Sequence, residues 1–146
     1  MKAILLLFIS ITAIHSTDWQ LDFEKAKQIA QAEHKIILLN FSGSDWCGPC
    51  IRMHKEILDT DAFSQFAKDR LVLVSADFPR SKKNALSSEQ QKRNDQLAEK
   101  YNNKGAFPLT LLLTADGKLL KIWDGLPKLT TAEFTQQIQS VIDASH

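Results

Sequence analysis

The chain holds two cysteines, and both lie in one short run, Cys47-Gly48-Pro49-Cys50. Two intervening residues put both sulfurs on a single helical turn, close enough to bond. A cysteine at the start of a helix meets unpaired N–H groups and the positive end of the helix dipole. Both favour the thiolate, which is the form that attacks a disulfide. A second cysteine one turn inward is placed to resolve the mixed disulfide by attacking the first one's sulfur. The expected catalytic roles are Cys47 as nucleophile and Cys50 as resolving thiol, together forming a redox-active disulfide. A bridge closing so small a loop removes little entropy from the unfolded chain. Chemistry explains it better than stapling.

A zinc half-site is the competing reading of such a pair. Zinc takes about four ligands, and the sequence has no second cysteine pair. His54, four residues after Cys50 on the same helical face, is the one tempting third ligand. No metal or other cofactor is expected. His54 is placed on the helix surface, where as imidazolium it slightly favours the thiolate. Trp46 reads both as core and as part of an apolar surface that receives a substrate. Asp45 reads as a solvated loop or cap residue, and Trp19 and Trp123 as packing residues.

A strand, a loop and a helix are needed to hold the pair. Ile36–Phe41 is a short apolar run suited to a buried strand, and Ser42–Asp45 is loop by composition. From Cys47 the sequence turns helical to about Leu58, with Pro49 tolerated in the first turn. Before this unit, Asp22–His34 reads as a helix with Phe23, Ala26, Ile29 and Ala30 on one stripe. After it, Thr60 or Asp61 caps a short helix through Lys68, and Leu71–Asp77 is a second strand. Phe78–Asn94 is polar and basic. It reads as a solvated insertion or as a face that selects acidic partners. Ser87 or Ser88 caps a helix to Tyr101. Leu109–Thr114 and Leu119–Trp123 form a hairpin across Ala115-Asp116-Gly117-Lys118. Thr130 and Glu133 have capping-box spacing and open a last helix, with Phe134, Ile138, Val141 and Ile142 inward. Strands alternating with helices, followed by a hairpin, predict an α/β fold: a three-layer α/β/α sandwich with a mixed central sheet.

Trp46-Cys47-Gly48-Pro49-Cys50, between a β-run and a helix, resembles the active site of the thioredoxin family. Asn40–Ile57 is similar to the same stretch of exported thioredoxin-like proteins. Phe107-Pro108, just ahead of a predicted strand, matches the family's proline opposite the motif. The resemblance covers most of Asp18–His146 and implies a thioredoxin fold. It implies a cis Phe107–Pro108 bond packed on the disulfide, and a Phe107 backbone that pairs with an extended substrate segment. Trp46, Gly48, Pro49, Phe107 and Pro108 are the implied substrate-binding residues. The chain also departs from the family. Asn40 stands nearest the buried acid often found there, Leu71–Ala76 lacks the usual facing lysine, and Leu109 follows the proline where threonine is common. Proton transfer to and from Cys50 therefore needs another route, such as water.

The first residues form a separate segment. Lys2 precedes an apolar run, Ala3–Ile14, of a length suited to a signal peptide and short of the ~20 residues of a membrane span. Residues 1–16 are expected to be a leader cut after Ser16, leaving a thioredoxin-like domain at 17–146. An uncleaved anchor or a buried strand is the alternative. Cleavage removes one of 18 basic residues and none of 17 acidic ones, leaving the mature part formally neutral. A whole-chain net charge of +1 argues against a nucleic-acid partner. The expected function is exchange of the Cys47/Cys50 dithiol with protein disulfide substrates in a periplasm or outside the cell. The Gly-Pro dipeptide resembles that of reductants, which points to a monomeric reductase recharged by a membrane or periplasmic thiol donor. An oxidase or isomerase is the alternative within the enzyme class. Outside it stands a non-catalytic thioredoxin-fold module that binds a partner or senses redox state.

Overall fold

The structure, a computed structural model, describes residues 18–145. The leader assigned to residues 1–16 lies outside the described residues. The elements follow in the order α1 (Phe23–Glu33), β1 (Ile36–Ser42), α2 (Gly48–Met53), α3 (Asp61–Ala67), β2 (Leu71–Asp77), α4 (Ser88–Tyr101), β3 (Leu109–Leu113), β4 (Leu119–Asp124) and α5 (Thr131–Ala144). The sheet order is β2-β1-β3-β4. β1 and β2 are parallel, while β3 runs antiparallel to both β1 and β4.

Side chains alternate across a strand, so each strand feeds two cores. Ile37, Leu39 and Phe41 of β1 join Leu109, Leu111 and Leu113 of β3 beneath α1 and α4. Leu38 and Leu112 face the other way, against Met53, Phe63, Phe134 and Ile138 from the helices on that side. Two apolar clusters on opposite faces of one mixed sheet make the expected three layers.

Local chemistry sets the helix ends. Asp22 caps α1 by accepting from Lys25 N at 3.1 Å, and His34 closes it in the left-handed region at φ 54°. Thr60 caps α3, Ser87 caps α4, and Thr130 with Glu133 completes a capping box on α5. The hairpin turns at Gly117, whose φ of 91° suits a residue without a side chain.

Two features differ from the sequence reading. α2 does not run as regular α-helix to Leu58; it passes at His54 into a π-helical turn, His54–Leu58. The wider turn stacks residues five apart, and His54 Nδ1 meets Asp59 Oδ1 at 3.0 Å. The chain before α1 also pairs with the sheet. Gln20 N donates to Leu73 O and Gln20 O accepts from Ser75 N, so the outer edge of β2 is partly covered.

Candidate active site

β1 ends in the loop Gly43–Trp46, and the loop delivers Cys47 to the N-cap of α2. Cys47 is extended at φ −93°, and its Sγ accepts the backbone N–H of Cys50 at 3.3 Å. Gly48 and Pro49 fill the first turn, where the missing proline N–H costs nothing. Cys47 and Cys50 are joined as a disulfide with a Cα–Cα distance of 5.2 Å. Cys47 keeps 6% of its surface, whereas Cys50 is fully enclosed and takes a contact from Gly43 N at 3.5 Å. Of the two cysteines, Cys47 alone has any surface open.

An aromatic surface frames the pair. Trp46 packs edge-on to Phe107 at 5.5 Å, and Phe107 packs likewise on Phe78 at 5.5 Å. The indole N–H donates to Phe78 O at 2.7 Å, and the Arg80 guanidinium lies 3.6 Å over the ring. Gly43 lies directly against the indole, where a Cβ would overlap ring atoms. The Phe107–Pro108 peptide bond is cis. Asn102, buried behind it, fixes the preceding loop by a two-way pair with Ala106 N and O, both at 2.8 Å. Pro49, Phe107 and Pro108 line one surface groove together with Leu126 and Pro127.

Asp45 is not simply a solvated loop residue. Its carboxylate accepts from Arg80 N and Ser81 N at 2.9 Å and from Asn84 Nδ2 at 3.0 Å. The Arg80 backbone donor first, then the Asn84 amide and the Ser81 donor, hold its carboxyl below the usual aspartate range. Ser44 makes a parallel tie, donating from N and Oγ to Asp77 at 2.9 and 2.5 Å. The start of the basic segment is thus fastened to the active-site loop. The insertion reading fails for Phe78 and Arg80, which cover Phe41 and Trp46. These partners lie more than thirty residues from the loop, and no local spacing announces them.

His54 is likewise not a plain surface residue. Its side chain is 27% exposed and bridges two groups. Nδ1 faces Asp59, and Nε2 faces Asn40 Oδ1 at 3.3 Å. Asn40 Nδ2 donates to Thr110 Oγ1 at 3.0 Å, and the Thr110 hydroxyl points to Met53 Sδ at 3.6 Å. Trp19 lies against the imidazole at 5.6 Å. No group of three His, Cys, Asp or Glu side chains suited to a metal occurs among the described residues.

Comparison with known proteins agrees with this geometry. The chain is 37% identical over 108 residues to a protein named disulfide bond reductase DsbH from Chlamydia pneumoniae, covering 74% of this chain and 63% of that protein. It is 31% identical over 84 residues to the thioredoxin-related protein DsbJ of the same organism, covering 52% of this chain and 24% of that one. The chain thus spans less than two thirds of either curated relative. A solved structure titled DsbH oxidoreductase superposes with a TM-score of 0.79 at 30% identity, covering 97% of this chain and 95% of that one. A thioredoxin from Thermus thermophilus shares the fold with a TM-score of 0.60 at 19% identity, covering 83% of this chain and 84% of that one. The family model for the thioredoxin-like domain matches residues 23–142. By fold, by motif and by these relatives, the chain belongs to the thioredoxin family.

Proposed function

We propose that the chain is a thiol–disulfide oxidoreductase that reduces disulfides in proteins outside the cytoplasm. The observation that carries this reading is the placement of the pair. Cys47 Sγ sits at the cap of α2 and already accepts an N–H from its own helix, while Cys50 is enclosed one turn inward. The same donor stabilises a Cys47 thiolate once the bridge is reduced. The thiolate attacks one sulfur of a substrate disulfide, forming a mixed disulfide and releasing the other substrate sulfur as a thiolate. Cys50 then attacks Cys47 Sγ, frees the second substrate sulfur and restores the bridge. Two electrons pass to the substrate, and a thiol donor at the membrane or in the periplasm returns them.

Substrate lies along the groove beside the motif. Pro49, Phe107 and Pro108 line it, and Trp46, packed on Phe107, and Gly48, beside Pro49, flank it. The Phe107 backbone pairs with an extended substrate strand. The reductive direction is supported by the name of the DsbH relative and by the Gly-Pro dipeptide. The extracytoplasmic location is supported by the apolar run at Ala3–Ile14. No helix among the described residues is long and apolar enough to cross a membrane.

Reduction of insulin by dithiothreitol tests the activity. The wild type is expected to accelerate it, and Cys47→Ser to abolish the acceleration. A Cys50→Ser variant is expected to accumulate mixed disulfides on Cys47. Equal turnover by wild type and Cys47→Ser contradicts the proposal.

A further inference from the structure

Resolution of the mixed disulfide requires Cys50 to lose a proton while it is enclosed behind Cys47. Beside it lies a pocket whose lining includes Ser42, Cys50, His54, Asp59, Ser75 and Asp77. Ser42 sits next to Gly43, whose N–H touches Cys50 Sγ. Its hydroxyl is the one buried side-chain oxygen or nitrogen without a hydrogen-bond partner among the described residues. Such a group is costly to leave unpaired and has spare capacity for a neighbour that changes state. The strand position nearest the family's acid carries Asn40, which does not titrate, and the β2 residue paired with it is Ser75.

We infer that His54 accepts the Cys50 proton, through solvent in this pocket, and that Asn40 is the adapter that lets it do so. The inference rests on the redox reading of Cys47 and Cys50. Asp59 presents only acceptor oxygens, so Nδ1 of His54 carries a proton. Nε2 faces Asn40 and is the nitrogen that changes role. On the imidazolium it donates to Asn40 Oδ1, with Asn40 Nδ2 donating to Thr110. On the neutral ring it accepts, which needs the Asn40 amide turned over. Nδ2 then donates to His54, and the Thr110 hydroxyl donates to Oδ1. The amide and the hydroxyl each serve as donor or acceptor, so both protonation states are fully bonded. The other charged groups at this pocket are Lys55 from the π turn and Asp77 from the end of β2. Trp19, from the segment before α1, presents an uncharged ring.

The S–H bond of Cys50 breaks and its proton goes to His54 Nε2. The Cys50 sulfur bonds to Cys47 Sγ, and the substrate sulfur leaves as thiolate with the bonding pair. The imidazolium returns its proton to solvent through the open side of the pocket. An imidazole suits this work because each of its ring nitrogens can accept or donate a proton.

Stopped-flow reaction of the reduced protein with dithiobis-nitrobenzoate separates the two steps. Attack by Cys47 releases one thionitrobenzoate, and attack by Cys50 releases the second without needing an acid for the leaving group. The second phase of the wild type is expected to show an inflection in its pH profile rather than to rise in proportion to hydroxide throughout. In His54→Gln it is expected to be at least about ten-fold slower at about pH 7 and to rise in proportion to hydroxide. The first phase is expected to change much less than the second. In His54→Ala, added imidazole is expected to restore the second phase. Superimposable second phases in wild type and His54→Gln overturn the inference. So does a wild-type second phase without an inflection, a measurement that needs no variant. Failure of the redox reading looks different, since no second thionitrobenzoate is then released by the wild type at any pH.

Discussion

Trp46 is held by three neighbours of different chemistry: the Phe78 carbonyl, the Arg80 guanidinium and the Phe107 ring. Gly43 makes this possible, because the indole occupies the space a Cβ would take. Gly43→Ala is therefore expected to displace the indole, break its bond to Phe78 and destabilise the protein by about 1–3 kcal/mol. Urea unfolding reads the stability, and tryptophan fluorescence reads the displaced ring. At this scale the cysteines and Trp46 were legible because five consecutive residues carry the motif. His54, Ser42 and Asn40 were not legible as a group. The spacing already put His54 on the helical face of Cys50, but only the fold brings Ser42 of β1 to the same pocket and sets Asn40 of β1 against the imidazole.

Elements differ in how openly they announce themselves. α1, α4 and α5 carry caps and periodic apolar stripes, so their extents follow from local rules. The π turn after α2 has no such signal: it joins His54 to Asp59 five residues on, and His54 also reaches Asn40 on β1. The segment after β2 is largely exposed, as its composition implies, but its ties to the active-site loop have no local signal either. Its polar composition fits a solvated loop, yet Asp45 binds it through three donors. That clamp has a pH signature. The folded state holds the Asp45 carboxyl low, through the Arg80 backbone donor first. Its stabilising contribution is thus fully present above the ordinary aspartate range of about 4. It is lost as the pH falls through the lower folded-state value. Asp45→Asn is expected to be less stable than wild type at neutral pH, with the gap closing as the pH is lowered below about 4. Urea unfolding across a pH series checks this, and a constant gap contradicts it.

On the scale of the whole molecule, the sheet supplies a rigid floor with an apolar cluster on each face. Its β1 end carries the Cys47 loop, and the cis-proline loop enters β3 alongside. The three layers and the mixed sheet were legible from alternating strands and helices with a late hairpin. The pairing of Gln20 with β2 was not, because a single bridge leaves no periodic trace. What this scaffold accomplishes is to set one cysteine at a helix start with a small part of its surface open, while the other is fully enclosed. The most direct measurement is the rate of iodoacetamide alkylation of Cys47 in the reduced protein as a function of pH, read by mass spectrometry. The rate is expected to reach its plateau well below the ordinary cysteine range of about 8.5, with Cys50 unmodified. A rate still climbing through that range, or equal alkylation of both cysteines, contradicts it.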